Sequence, residues 1–296
     1  MVFLPNVLLE MIAGYAGENE LLDWIDQDKI KWWSLSRNPA AIHLLENNQE
    51  KIDWMYLSGN QAAIHCFEKN PDKINWYFLS GNPSAIHLLE KNQENIDWSE
   101  LSRNPAAIHL LEKNPDKIDW GKLSMNPAAI HLLESEAHRA AREKNPEKII
   151  WEILSENPAA IHLLEKNPEK INWKWLSGNP AAIHLLEKNP DKINLKWLSD
   201  NPAAIHLLES EAHRAQREKN PEKIDWIMLS RNPAAIHLLE KNPEKIRWQL
   251  LSMNPAAIHL LEKNQEKIDW WELSANKSIF KSTKDEIYNS LYEIQN

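Results

Sequence analysis

The fold of this chain is decided by one stretch, NPAAIHLLEKNPEKINW at residues 157–173, and by its repetition. Edited copies of it recur from Asn38 to Trp270, and ten copies carry the histidine at the same place. These histidines are His43, His65, His87, His109, His131, His162, His184, His206, His237 and His259. Seven of the nine intervals between them are 22 residues long and two are 31. Such a period is typical of stacked repeats, in which each unit buries its apolar face against its neighbours.

Each copy predicts two short helices. In the first half, Asn157 is a favoured N-cap, and Pro158 suits the first helical position because its missing N–H has no intrahelical partner there. The second half, from Asn167 through Trp173, follows the same logic, with an acidic residue in the first turn. Helices this short are not stable alone in water. We therefore expect an all-α solenoid of about eleven helix pairs over residues 26–278.

The ends of these helices and the residues between them also carry signals. Glycine follows the second helix at Gly59, Gly81 and Gly178, which predicts a left-handed helix end. The tryptophan of each copy is interpreted as part of a packing column, with Leu195 in the place of one tryptophan.

A leucine-rich repeat is the rival interpretation, since its period includes 22 residues. That fold needs an apolar residue two positions before the leucine of the W-x-x-L motif. At least half of these positions are polar or glycine; they are Met55, Tyr77, Ser99, Gly121, Glu152, Lys174, Lys196, Ile227, Gln249 and Trp271. The pattern favours the all-α fold.

The flanking segments depart from the repeat. Residues 1–25 are apolar at helical spacing, and residues 279–296 place Ile287, Leu291 and Ile294 on one helix face. We interpret both as helical caps that cover the terminal units.

The first of these segments, FLPNVLLEMIAGYAG, resembles the opening of an F-box, in which Leu-Pro precedes an amphipathic helix. The residues that carry the resemblance are Leu4, Pro5, Leu8, Leu9, Ile12 and Tyr15. It covers about a dozen residues and implies an adaptor of a ubiquitin ligase as an alternative function.

Composition narrows the function classes. The net charge of −9 argues against a basic surface that binds nucleic acid or an anionic membrane. We find no signal peptide and no apolar run long enough to span a bilayer, and we expect a cytoplasmic protein. Cys66, the single cysteine, is interpreted as a small core residue in a reducing compartment.

The sequence offers no pattern for catalysis, a cofactor or a metal. Equivalent residues of stacked helices lie about 10 Å apart, so neighbouring histidines cannot share one zinc ion. We interpret the histidines as neutral groups that bond to the cap or backbone of the next unit, which predicts a loss of stability below about pH 6. No nucleophile elbow or phosphate loop is present, and we expect a protein that is not an enzyme.

Recognition is predicted where the copies differ. The two residues after each tryptophan position and the one before each cap asparagine vary freely and fall within about 100° on a helix, as one stripe. Two nine-residue insertions, at 135–143 and 210–218, are further candidates for contact or self-association. The predicted partner-binding residues are Tyr77, Phe78, Arg103, Trp175, Trp197, Met228, Arg231 and Trp271 on the stripe, with His138, Arg142, His213 and Arg217 on the insertions.

The pattern LSxNPAAIHLLEKNPDKIxW, which covers nearly the whole chain past residue 26, resembles uncharacterised tandem-repeat proteins of giant DNA viruses of protists. This resemblance implies an intracellular setting in a host and brings no established activity. The near-identity of the copies is also compatible with a designed array. The sequence thus favours a scaffold that binds a protein partner, with the ligase adaptor and a self-assembling structural protein as alternatives.

Overall fold

The computed structural model describes residues 19–135, 150–210 and 224–283. Within these ranges the chain forms 21 short α-helices, joined by 3-10 turns, and two strands of three residues. The prediction of an all-α repeat array with about eleven units is confirmed. We number the helices α1 to α21; units 1 to 10 each consist of an odd-numbered tryptophan helix and the even-numbered histidine helix that follows it, and unit 11 contains α21 alone.

The eleven tryptophan helices are α1 Trp32–Leu35, α3 Trp54–Ser58, α5 Trp76–Ser80, α7 Trp98–Arg103, α9 Trp120–Leu123, α11 Trp151–Glu156, α13 Trp173–Leu176, α15 Leu195–Leu198, α17 Trp226–Arg231, α19 Trp248–Ser252 and α21 Trp270–Ala275. The ten histidine helices are α2 Ile42–Glu46, α4 Ile64–Lys69, α6 Ile86–Lys91, α8 Ile108–Lys113, α10 Ile130–Glu134, α12 Ile161–Lys166, α14 Ile183–Lys188, α16 Ile205–Glu209, α18 Ile236–Lys241 and α20 Ile258–Glu262. The strands are β1 Asn19–Leu21 and β2 Phe280–Ser282.

The Asn-Pro-Ala-Ala segment forms the predicted cap. In unit 1, the side chain of Asn38 accepts a hydrogen bond from the Ala40 N–H, and a 3-10 turn at Pro39–Ala41 leads directly into α2. The asparagine thereby satisfies a backbone donor that a helix start would leave unpaired.

The second half of the unit differs from its prediction. Pro71–Lys73 forms a separate 3-10 turn, Ile74 is extended, and the α-helix begins only at Trp76. The cap is Asn75, whereas Asn70 donates to the Cys66 carbonyl at 2.9 Å and closes the preceding helix. The turn and the extended isoleucine redirect the chain so that both helices of a unit face one core.

The prediction of left-handed glycines is also wrong. Gly59 and Gly81 have right-handed helical angles, and no described residue has a positive φ. The helix ends without such a turn because the next asparagine, as Asn60 does, bonds back to the last turn of its own unit and to the unit before it.

A buried asparagine ladder connects the units. Each ladder side chain donates from Nδ2 to the carbonyl oxygen of a serine in the preceding unit, at 2.9–3.1 Å. Several also donate to the preceding ladder asparagine, as Asn104 does to Asn82. The members are Asn38, Asn60, Asn82, Asn104, Asn126, Asn157, Asn179, Asn201, Asn232, Asn254 and Asn276, all at most 4% exposed. Pairing of this kind is required for polar groups so deeply buried.

The serines form a second ladder. Ser58 donates from Oγ to the Trp54 carbonyl at 2.8 Å and accepts from the Asn75 N–H of the next unit at 2.9 Å. Equivalent serines repeat the arrangement in all units, so each tryptophan helix begins on a hydroxyl of its predecessor.

Both ladders continue from the last unit to the first, so the array is a closed ring. Asn38 donates to the carbonyls of Ser274 and Asn276, each at 3.1 Å, and the Lys31 N–H donates to Ser274 Oγ at 3.0 Å. Helices α1 and α21 pack together, and β1 pairs antiparallel with β2 in the register Leu21↔Phe280. Each terminal unit thus covers the apolar face of the other.

The segments predicted as caps lie mainly outside the described residues. Their described parts contain the paired strands 19–21 and 280–282 and no α-helix, whereas helical caps were predicted. Residues 3–15, which resemble an F-box, are outside the described ranges, as are 136–143 and 211–218 of the insertions.

The insertions do not shift the stack. Asn157 donates to the Ser124 carbonyl and Asn232 to the Ser199 carbonyl, both at 2.9 Å and both across an insertion. The ladder therefore stays in register across both insertions on this side of the units.

Each unit is a wedge. Most successive tryptophan helices and most successive Pro-Ala-Ala turns pack directly together, whereas successive histidine helices do not. The wedge core is the leucine of the W-x-x-L motif and the second alanine, as in Leu101 and Ala107, which are fully buried. In a closed ring the narrow side faces inward, so the tryptophan helices line the inside and the histidine helices the outside.

The ladder predicts a large cost for one substitution. Asn104→Ala removes a cap, leaves the Ser80 carbonyl without its donor and takes one of two donors from the Asn82 carbonyl, so we expect a loss of about 3 kcal/mol in the free energy of unfolding. Urea denaturation measures it. Asn114→Ala is the control, because Asn114 makes a single bond to the Leu110 carbonyl at a partly exposed site and should cost under about 1 kcal/mol.

The same measurement tests ring closure. In a closed ring Asn38→Ala breaks as many bonds as Asn104→Ala and should destabilise the chain equally. A cost for Asn38→Ala no greater than that of Asn114→Ala would show that the first and last units are not joined.

Candidate functional site: the inner stripe and the outer rim

The inner stripe is the set of residues one, two and five positions after each tryptophan position. It faces away from the buried leucine and serine of the same helix, and therefore into the ring. Seven large apolar side chains are exposed in the described ranges, and six of them are on this stripe: Met55, Tyr77, Met125, Ile227, Met253 and Trp271. A clustering of exposed apolar side chains marks a surface for interaction.

One arc of the stripe is aromatic and crosses the ring closure. The rings of Trp271 and Trp33 contact edge to face with centroids 3.9 Å apart, and Trp33 lies 5.4 Å from Tyr56. Tyr56 in turn lies 5.8 Å from Phe78, against which Tyr77 packs at 5.3 Å. The last three separations are typical of favourable aromatic pairs, and the first is a closer contact. We call this set the aromatic arc.

A second aromatic pair lies in units 7 and 8. The centroids of Trp175 and Trp197 are 4.4 Å apart, and Lys174 Nζ lies 5.5 Å from the Trp197 ring. A Cβ at Gly178 would meet Trp197 Cε3 at 3.7 Å, so the indole lies on the glycine backbone.

Charges separate the two aromatic regions on one side. Glu100 accepts from the Tyr77 hydroxyl at 3.1 Å and lies 3.4 Å from Arg103 and 3.8 Å from Lys122. The carboxylate raises the pKa of Tyr77 because it accepts the phenolic hydrogen.

A second charged group lies beyond the tryptophan pair. Arg231 forms a bidentate ion pair with Asp200 of the preceding unit, with Nε 2.7 Å from Oδ1. Burial and the negative charge of Asp200 raise the pKa of Glu156, which belongs to a unit two places further back. Charges from units this far apart act on each other because the units converge on the inside of the ring.

The structure brings the predicted stripe residues to one surface but not to one pocket. Tyr77, Phe78 and Trp271 belong to the aromatic arc, and Arg103 borders it. Trp175 and Trp197 form the second pair, and Met228 and Arg231 follow in the next unit. Sequence reasoning missed Trp33 and Tyr56 as site residues, although Trp33 could have been found by extending the stripe one unit towards the N-terminus. His138, Arg142, His213 and Arg217 lie outside the described residues.

The outer rim is the surface formed by the histidine helices. The histidines were predicted to bond to the cap or backbone of the next unit, and this prediction is wrong. Nine of them pair through Nε2 with a glutamate of the preceding unit at 2.7–3.6 Å, and their side chains are 42–57% exposed. The pairs are His65–Glu46, His87–Glu68, His109–Glu90, His131–Glu112, His162–Glu134, His184–Glu165, His206–Glu187, His237–Glu209 and His259–Glu240. Each of these imidazoles thus contacts an exposed carboxylate of the preceding unit, and not a buried cap or backbone group of the next unit.

The tryptophans have the predicted packing role, with an addition. Trp120 is fully buried in the core, and the others lie partly buried against it. A lysine of the next unit covers several of them, as Lys51 Nζ does at 4.3 Å from the Trp32 ring and Lys117 Nζ at 4.4 Å from the Trp98 ring. The same contact spans the closure between Lys29 and Trp270, at 5.3 Å.

One group of potential metal ligands is present in the described part of the chain. Glu46, His65 and Cys66 each offer a ligand atom, and the three atoms lie within 4.8 Å of one another. The sequence argument against a metal concerned two histidines on one ion and missed this set. The signal was the cysteine in place of a leucine beside a histidine.

No described helix has both the length and the apolar composition needed to cross a membrane. Comparisons with known proteins find no matching family model, no similar curated protein and no matching solved structure.

The histidine–glutamate pairs of the outer rim predict how the free energy of unfolding depends on pH. The hydrogen bond from His162 lowers the pKa of Glu134 below its ordinary value of 4.5. Such a carboxylate stabilises the folded chain above its unfolded pKa, and this contribution is lost as the pH falls through the lowered value. We therefore expect no loss in the free energy of unfolding from pH 7.5 to 5 and a decline below about pH 4.5.

Glu134→Gln identifies the contribution. At neutral pH this variant should be less stable by up to about 1 kcal/mol, and the difference should vanish at low pH, where both forms are uncharged. Glu169→Gln, at an exposed glutamate of the NPEK turn, is the control. A marked fall in stability between pH 7 and 5 would restore the interpretation of buried neutral histidines.

Proposed function

We propose that this chain is a non-enzymatic ring scaffold that binds a protein partner through the inner stripe. The observation that supports this most is the position of the large exposed apolar side chains: of the seven in the described ranges, six are on the inner stripe. Solenoids of other kinds likewise use a variable concave face for binding.

The chemistry of the stripe fits a polypeptide. Aromatic and methionine side chains, which are enriched in protein interfaces, alternate with charges of both signs. Nucleic acid fits less well, because the stripe has no continuous basic track and the whole chain carries a net charge of −9. The stripe charges pair with one another, as Arg231 does with Asp200, and this favours recognition over catalysis.

The setting that we propose is the cytoplasm, which is the host cytoplasm if the resemblance to viral repeat proteins holds. The ligase adaptor and the self-assembling protein both depend on residues outside the described ranges and stay predictions.

Binding to the stripe is testable with selected peptides. We would select peptides from a random display library on the intact protein and measure their Kd by fluorescence anisotropy. Tyr77→Ala and Trp271→Ala, each at a side chain 50% exposed on the aromatic arc, should weaken binding about tenfold or more. Lys113→Ala and Lys188→Ala, at exposed ends of histidine helices, are controls for the outer rim and should leave the Kd unchanged. Peptides that respond only to the rim variants would contradict the proposal.

A further inference from the structure

One position of the histidine helices carries a chemically different residue in one unit. The residue after the histidine is cysteine in unit 2 and leucine in the other nine histidine helices. Those leucines are Leu44, Leu88, Leu110, Leu132, Leu163, Leu185, Leu207, Leu238 and Leu260. The exchange places a thiol beside a histidine–glutamate pair that occurs elsewhere without one.

The three side chains come from two units and converge on one point. His65 Nε2 lies 2.9 Å from Glu46 Oε1 and 3.6 Å from Cys66 Sγ. Glu46 is at the end of α2, whereas His65 and Cys66 are in α4. The thiol is buried, and the carboxylate and imidazole are 40% and 47% exposed, so the group is open to solvent on one side.

We propose that Glu46, His65 and Cys66 bind one Zn²⁺ ion on the outer rim, through Oε1, Nε2 and Sγ. A tetrahedral zinc ion with bonds of about 2.3 Å to sulfur and 2.0–2.1 Å to nitrogen holds those two ligand atoms about 3.6 Å apart. The observed Nε2–Sγ distance has this value. The fourth position is open to water or to an outside ligand, as in zinc sites with three protein ligands.

The donor set selects the metal. A thiolate, an imidazole and a carboxylate suit Zn²⁺ and similar borderline cations, whereas Mg²⁺ and Ca²⁺ take oxygen ligands. Burial and the charge of Glu46 raise the pKa of the Cys66 thiol, so the metal-free site holds the thiol proton. On binding, this proton goes to solvent, and the imidazole hydrogen moves from Nε2, where it faces Glu46 Oε1 at 2.9 Å, to Nδ1. Two negative ligands then balance the charge of the ion.

The ion would connect units 1 and 2 at the position where a direct histidine–glutamate contact connects the other units. A ligand that binds only the folded ring stabilises it, and the gain grows with the free metal concentration. The site is therefore a metal-dependent tie between two neighbouring wedges.

The test uses the reduced, full-length chain titrated with Co²⁺, and with Zn²⁺ in competition. Because Cys66 is the single cysteine, a thiolate-to-cobalt charge-transfer band reports this residue alone. We expect a band that saturates at one Co²⁺ per chain, is displaced by Zn²⁺ and is accompanied by a higher unfolding temperature. Cys66→Leu, which restores the residue of the other units, should fold and lose the band. Glu46→Gln and His65→Gln should each weaken Co²⁺ binding at least tenfold.

The repeat supplies a matched gain of function. Leu110 occupies the position of Cys66, and His109 and Glu90 form the same pair there at 2.7 Å. Adding Leu110→Cys to Cys66→Leu should move the band to unit 4. No charge-transfer band in the parent chain, a band indifferent to Glu46→Gln and His65→Gln, or no band in the double variant would each overturn the proposal.

Discussion

The ring depends on the side-chain carboxamide of the ladder asparagine, which hydrogen-bonds to backbone carbonyls of the preceding unit. The Oδ1 atom of a ladder asparagine caps its own turn, while Nδ2 donates to carbonyls at the end of the preceding tryptophan helix. The serine carbonyl would otherwise lack a donor, because it belongs to the last turn of a helix, whereas the asparagine carbonyl also accepts from an N–H of its own turn, as Asn82 does from Ala85. Aspartate could cap the turn equally well but would turn an oxygen towards the carbonyls. The requirement for a donor and an acceptor on one short side chain explains why this position is asparagine in every unit.

Features that are determined by residues close together in the sequence could be predicted from it. Asn-Pro starts, buried leucines and the number of units follow from the repeat itself. The second cap was misplaced because two candidate caps, such as Asn70 and Asn75, lie five residues apart and only packing decides between them. Ring closure could not be predicted, because it results from a small rotation per unit that no single residue determines.

The two sides of the wedge have different constraints. Outside, the spacing between units is wide, and the same histidine and glutamate recur because the pair must span it. Inside, the tryptophan helices already touch, so residues one, two and five positions further on are free to vary. This is why a comparison of the copies identified the stripe, while the grouping of Trp33 with Trp271 needed the closure, since these residues are far apart in the sequence. The grouping of Cys66 with Glu46 and His65 could be recognised only from interatomic distances, because one changed residue in a repeat is not informative by itself.

Closure also changes how such an array can evolve. An open solenoid lengthens by duplicating a unit, since each new copy simply extends the stack. A ring of eleven units turns about 33° at each junction, a full circle divided by the units of the array. A twelfth copy would have to flatten every junction at once or break the pairing of β1 with β2. Variation is therefore directed to substitutions within units and to insertions between them, and the two insertions of this chain enter without altering the unit count.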